Sequence, residues 1–113
     1  MSVPLESLDE ESLVRILKEP KNALTKQYQK LFELEDVKLT FEETALRGIS
    51  RKALKRGTGA RGLRAILEEL MTDVMFELPS RDDVVEVKIT EPCVMNGTAP
   101  LLEIAPKRQK KEA

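Results

Sequence analysis

Between Arg51 and Arg64 the chain carries Arg51, Lys52, Lys55, Arg56, Arg61 and Arg64, and no acid. The chemistry open to such a stretch is the binding of an anion. The first four cations crowd the last turns of a helical pattern, where the negative end of the helix dipole favours them. A solvated helix face is enough to explain those four. Arg61 and Arg64 fall in the first two turns of the next helical pattern, where a cation is disfavoured by about 0.3–1 kcal/mol. Free backbone N–H groups at a helix start attract an anion. The run Gly57-Thr58-Gly59-Ala60-Arg61-Gly62 is small enough to let one approach. A guanidinium offers a phosphate two parallel hydrogen bonds. Two readings are open on spacing alone. Arg61, with Gly59 and Ala60 as backbone neighbours, binds a phosphate, or Arg61 pairs with a nearby carboxylate.

No phosphate cradle accompanies this arginine. The sequence has no G-x-x-x-x-G-K-[ST] loop. Gly57, Gly59 and Gly62 spell G-x-G-x-x-G, but between two helices, whereas a dinucleotide fingerprint follows a strand. The arginine would therefore serve a nucleotide held mainly by something else. Two helices joined by a glycine turn also suit a helix-turn-helix that reads a DNA groove. That reading ranks lower, because the second helix turns acidic at Glu68, Glu69 and Asp73 and the net charge is -1.

Composition removes other chemistries. With no His there is no histidine-dependent triad and no histidine-ligated metal. Cys93 is the single cysteine, so no internal disulfide and no thiolate zinc cluster can form. Placed in an expected inter-strand loop, it reads as an inert small apolar residue. Asp82-Asp83 beside a strand start lacks a matching ligand set for calcium or magnesium. The chain thus shows no catalytic residue and no metal site. Its 113 residues suit one domain. Charged residues reach 35%, yet 19 Lys and Arg nearly cancel 20 Asp and Glu, so it is no polyelectrolyte for nucleic acid or an anionic membrane. No apolar run approaches the roughly 18 residues of a membrane span. The N-terminus lacks the features of a signal peptide. A cytoplasmic setting is expected.

The elements that must position Arg61 follow from periodicity. Ser7 with Glu10 reads as a capping box opening a helix with Leu13, Ile16 and Leu17 on one face. Pro20 ends it. Asn22 caps a second helix carrying Ala23, Leu24, Tyr28, Leu31 and Phe32. Val37-Lys38-Leu39 is a brief strand. Thr40 with Glu43 forms another capping box, opening a third helix with Ala45, Leu46, Ile49 and Ala53 inward. Thr58 or Gly59 starts the most periodic helix, with Leu63, Ile66, Leu67, Leu70 and Val74 inward and Met71 and Met75 flanking. Leu78-Pro79-Ser80 stops it. Val85, Val87 and Ile89 alternate as a half-buried strand, Asn96-Gly97 marks a turn, and Leu101 to Ile104 is a last short strand. The fold class is α+β, with about four helices and a small two- to three-stranded sheet. Residues 1–6 read as a flexible start, 7–105 as the domain, and 106–113 as a basic disordered tail.

Three stretches resemble a known family. Leu17-Lys18-Glu19-Pro20-Lys21-Asn22-Ala23-Leu24-Thr25-Lys26-Gln27-Tyr28-Gln29-Lys30-Leu31-Phe32 resembles the start of the C-terminal small domain of the ClpX family of AAA+ unfoldases, which feed the ClpP peptidase. Thr58-Gly59-Ala60-Arg61-Gly62-Leu63-Arg64 is similar to that family's sensor-2 motif. Leu78-Pro79-Ser80 with an acidic strand start is similar too. The resemblance runs from about Leu8 to Ile104. It implies a small (lid) domain that closes over ATP or ADP with Mg on a large AAA+ domain, with Arg61 sensing the phosphates. It further implies packing on the large domains of the same and neighbouring subunits in a homohexamer, and delivery of protein substrates to ClpP. No nucleic acid and no membrane are implied. Walker A and B segments, pore loops, a peptidase-docking loop and a four-cysteine zinc domain are not in this sequence. It therefore reads as an excised or truncated C-terminal domain with Met1 an artificial start, unable to hydrolyse ATP alone. The rival expectations are the helix-turn-helix nucleic-acid binder and a structural module that docks a helical face on a partner.

Overall fold

A computed structural model describes residues 9–19, 24–78 and 83–105. Its elements run α1 (Glu10–Lys18), α2 (Leu24–Glu33), β1 (Lys38–Phe41), α3 (Glu43–Arg56), α4 (Ala60–Glu77), β2 (Val84–Ile89), α5 (Glu91–Asn96) and β3 (Leu101–Ile104). The α+β class holds, with five helices among the described residues where about four were expected. The expected flexible start and basic tail, together with Ser7, Asn22 and Pro79-Ser80, lie outside the described residues.

α1 begins at Asp9, whose Oδ1 accepts from the Ser12 N–H at 3.0 Å. The expected cap at Ser7 therefore gives way to Asp9. That hydrogen bond holds the Asp9 carboxyl below its ordinary value. Leu13, Val14 and Leu17 are buried on the inner face. α2 is tied to the end of α1 by the buried Thr25 hydroxyl, which donates to the Leu17 carbonyl at 3.3 Å.

The sheet has the order β1-β2-β3. β1 and β2 are parallel, pairing Lys38 with Glu86 and Phe41 with Ile89. A parallel pair needs a long crossover, and here α3 and α4 supply it. β3 returns antiparallel to β2. The strand ladder overrides the second expected capping box. Thr40 is drawn into β1, where its hydroxyl donates to Glu86 Oε2 at 2.6 Å. Glu42 then precedes α3 with no side-chain cap, and its own N–H donates to the Ile89 carbonyl. The alternation on β2 is also interrupted. A bulge between Val84 and Glu86 leaves Val85 as the extra residue, so Val84 is buried and Val85 only half-buried.

The region expected to be an inter-strand loop around Cys93 is α5 instead. Pro92 sits in its first turn, Cys93 and Val94 are buried, and Gly97 ends it in the left-handed conformation (φ 72°). Asn96-Gly97 thus terminates a helix. The core gathers Leu13 and Leu17 of α1, Ile49 of α3, Leu63, Ile66, Leu67 and Met71 of α4, and Val87 and Ile89 of β2, all at most 2% exposed. All five residues expected on the inner face of α4 are buried; Met71 joins them, whereas Met75 is 43% exposed.

Candidate functional site

The site is built at the junction of α3 and α4. α3 stops because Gly57 takes the left-handed conformation (φ 73°). The Gly57 N–H donates to the Leu54 carbonyl and the Thr58 N–H to the Ala53 carbonyl, which is the double hydrogen bond of a Schellman motif. Gly59 precedes α4 at φ 58°, ψ -143°, near a region that residues with a Cβ avoid. Three residues, Gly57 to Gly59, thus separate the end of α3 from the start of α4 at Ala60.

Arg61 is exposed on the first turn of α4 and makes no hydrogen bond or ion pair among the described residues. The pairing with a nearby carboxylate that spacing left open is not formed there. α4 also starts with no side-chain cap and no acid in its first turn, whereas α1 has Glu10 and Glu11 in its own. Positive charge and free helix-start dipole therefore coincide at one exposed point. Gly59 and Ala60 are its backbone neighbours, the first at positive φ and the second the first residue of α4. Arg64 is exposed without an ion pair among the described residues. Its charge instead acts on Tyr28 of α2, whose phenol is pushed above its ordinary value by burial and by Glu68 and pulled back by Arg64.

The other cations of the stretch divide. Arg51 donates through Nε to Glu10 and through Nη1 to Glu91, each at 3.2 Å, tying α3 to α1 and α5. Arg56 meets Glu69 of α4 with two hydrogen bonds, at 2.8 and 3.3 Å. These two are cross-links between helices and not merely a solvated face. Lys55 is exposed and makes no ion pair among the described residues.

Sequence reasoning missed Thr58 and Gly62. The Thr58 hydroxyl donates to the Ala53 carbonyl at 3.3 Å. Its side chain lies directly over Gly62, which is buried. A methyl group at Gly62 would overlap Thr58 Oγ1 and stand 2.6 Å from Thr58 Cβ. The available signal was a glycine inside a helix, which costs about 0.8–1 kcal/mol against alanine and so calls for a packing reason.

The described residues contain no group of His, Cys, Asp and Glu that could hold a metal ion. A cleft of about 200 Å³ opens between α4 and the α5–β3 segment, lined by Lys52, Glu69, Asp73, Val94 and Thr98 among others. It lies away from Arg61. No helix of the described residues is long and apolar enough to cross a membrane.

Five helices with a small three-stranded sheet among the described residues form an α+β fold consistent with an AAA+ C-terminal small domain. Residues 8–91 match the family described as the C-terminal, D2-small domain, of ClpB protein, and the chain belongs to that family. Among curated relatives it is 49% identical over 105 residues to the ATP-dependent Clp protease ATP-binding subunit ClpX 2 of Wolinella succinogenes. That alignment covers 93% of this chain and 26% of the relative, so the chain spans about a quarter of the protein it resembles. Both matches support the resemblance to the ClpX C-terminal small domain. The chain is a C-terminal small domain of the Clp AAA+ unfoldase type.

Proposed function

We propose that this chain is the nucleotide-responsive small domain of a ClpX-like protein unfoldase that works as a cytoplasmic homohexamer and delivers protein substrates to the ClpP peptidase. The observation that carries the reading is Arg61, exposed and free of ion pairs among the described residues, at the uncapped start of α4. The donor set suits a phosphate. A guanidinium has five N–H donors in a fork that fits two phosphate oxygens, and no acid stands in that turn to repel the anion. ATP or ADP would be held chiefly by a large AAA+ domain, with Arg61 reaching its phosphates and Gly59 and Ala60 leaving room. Mg would be held elsewhere, since no metal-ligating group occurs among the described residues. The chain alone should not hydrolyse ATP. In the complete subunit, contact between Arg61 and the phosphates would couple nucleotide state to the angle between small and large domains.

The test joins this chain to the ATPase core of the 49% identical relative. Arg61→Ala and Arg61→Lys should both lower ATP hydrolysis and substrate unfolding, because an ammonium cannot reproduce the two-pronged contact. Assembly and the stability of the chain should stay near normal. Arg64→Ala should be milder. Unchanged rates for Arg61→Ala, or a melted domain, would refute the sensing role.

A further inference from the structure

The turn that aims Arg61 should be soft. Gly57 and Gly59 both have positive φ, and glycine is the least restrained residue of the chain. Thr58 stands between them and closes the junction. Its N–H and its hydroxyl both donate to the Ala53 carbonyl, at 3.1 and 3.3 Å, anchoring it to the end of α3. On its other side it seats on the bare Cα of Gly62, one residue past Arg61. The Gly62 N–H in turn donates to the Gly59 carbonyl at 3.0 Å, closing the first turn of α4. Rotation of α4 about the glycines would drive Gly62 into Thr58 or break its hold on Ala53. The Arg56–Glu69 pair ties the same two helices ten residues into α4. The buried inner face of α4, from Leu63 onward, packs the helix body into the core, and Thr58 adds a tie from the end of α3 to the turn that carries the arginine.

From this geometry we infer that Thr58, seated on Gly62, is a positioning residue that fixes the direction of Arg61. The inference rests on the phosphate-sensing reading of Arg61. Thr58 touches no nucleotide; its effect passes entirely through the arginine.

The experiment measures ATP turnover in the complete subunit described above, with circular dichroism confirming that each variant is folded. Thr58→Gly should lower turnover on the order of tenfold, a modest share of what a 1 Å misplacement can cost. Thr58→Ser keeps the hydroxyl and the Cβ and should retain the turnover of the parent. The decisive arm repeats Thr58→Gly in the Arg61→Ala background, where it should have no further effect. A general structural role would instead multiply the two losses. Full activity of Thr58→Gly, or the same tenfold loss with and without Arg61, overturns the inference while leaving the sensing role standing. Parental activity of Arg61→Ala overturns the sensing role and the inference with it. Should Thr58→Gly fail to fold, Thr58→Ala, which also removes the hydroxyl, takes its place in the same comparison.

Discussion

Replacing a helix-interior glycine by alanine normally stabilises a protein by about 0.5–1 kcal/mol, because alanine restricts the unfolded chain and favours the helix. At Gly62 the sign should reverse. The new Cβ would overlap Thr58 Oγ1, a contact that side-chain rotation can relieve. It would also stand 2.6 Å from Thr58 Cβ, and no rotation moves a Cβ, because the backbone fixes it. The turn itself must shift, against the two hydrogen bonds that hold Thr58 to Ala53. Overpacking of this kind costs about 1–3 kcal/mol. Set against the helix gain, Gly62→Ala should destabilise the chain by about 1 kcal/mol, which lowers the melting temperature by about 4–8 °C for a domain near this size. Thr58→Gly removes both contacting atoms. In that background Gly62→Ala should regain its usual sign and stabilise by about 0.5–1 kcal/mol. Thermal and urea denaturation of the four chains, parent, both single variants and the double, gives the cycle. Equal effects of Gly62→Ala in the two backgrounds would show that Thr58 and Gly62 are not in contact, and the account of the junction would fall.

The remaining predictions use the same chain. Leu67, 1% exposed on the inner face of α4, should cost about 2–5 kcal/mol as Leu67→Ala, and an unmoved denaturation midpoint would place it on the wrong face. Tyr28 is the only tyrosine and there is no tryptophan, so absorbance at the tyrosinate band reports it alone. Burial should make it titrate above the ordinary 10.0, Glu68→Gln should bring it down, and Arg64→Ala should push it further up. Because its folded value is raised, its contribution to stability is complete below the ordinary value and is lost as pH rises through the folded one. Titration at or below the ordinary value would contradict the packing of α2 on α4. Asp9 behaves oppositely. Its lowered carboxyl supports α1 above the ordinary carboxylate value and loses that support as pH falls through the lowered one, so Asp9→Ala should narrow the stability gap between neutral and acid pH. An unchanged gap would remove Asp9 as the cap.

Long apolar periods were legible in the sequence, and short elements ruled by partners were not. α4 shows its inner face over eighteen residues, and the place of Arg61 in its first turn could be read from the glycines that precede it, but not whether a carboxylate would meet it. α5 has six residues and buries only Cys93 and Val94, which is too little to show a period. Its Pro92 and final Gly97 were the readable marks, and Asn96-Gly97 serves a hairpin equally well. Thr40 with Glu43 has the letters of a capping box, but the ladder to β2 competed for Thr40 and won. The bulge at Val85 depends on the return of β3 and leaves no local signature, whereas the contact of Thr58 with Gly62 left one mark, a glycine inside a helix, that names no partner.

The distribution of ion pairs bears on how Arg61 must be studied. Acids are not scarce, at 20 against 19 Lys and Arg. Arg47 is flanked by Glu10, Glu11 and Glu43, Arg51 by Glu10 and Glu91, and Arg56 by Glu69. Every one of these arginines joins two helices or more. The start of α4 receives no acid among the described residues, so the free arginine there reflects the arrangement of the charges and not their number. Leaving it unpaired sacrifices little, since an exposed ion pair contributes only about 0–1 kcal/mol. Stability is therefore nearly blind to an Arg61 that does not brace the fold. Removing the Arg61 guanidinium should leave the melting temperature of the chain almost unmoved, whereas removing that of Arg56 should lower it only slightly, because its two-pronged pair with Glu69 links α3 to α4 but is exposed. A fall in melting temperature for Arg61→Ala as large as for Arg56→Ala would mean that Arg61 braces the fold, and the loss of turnover expected of that variant could no longer be assigned to phosphate contact.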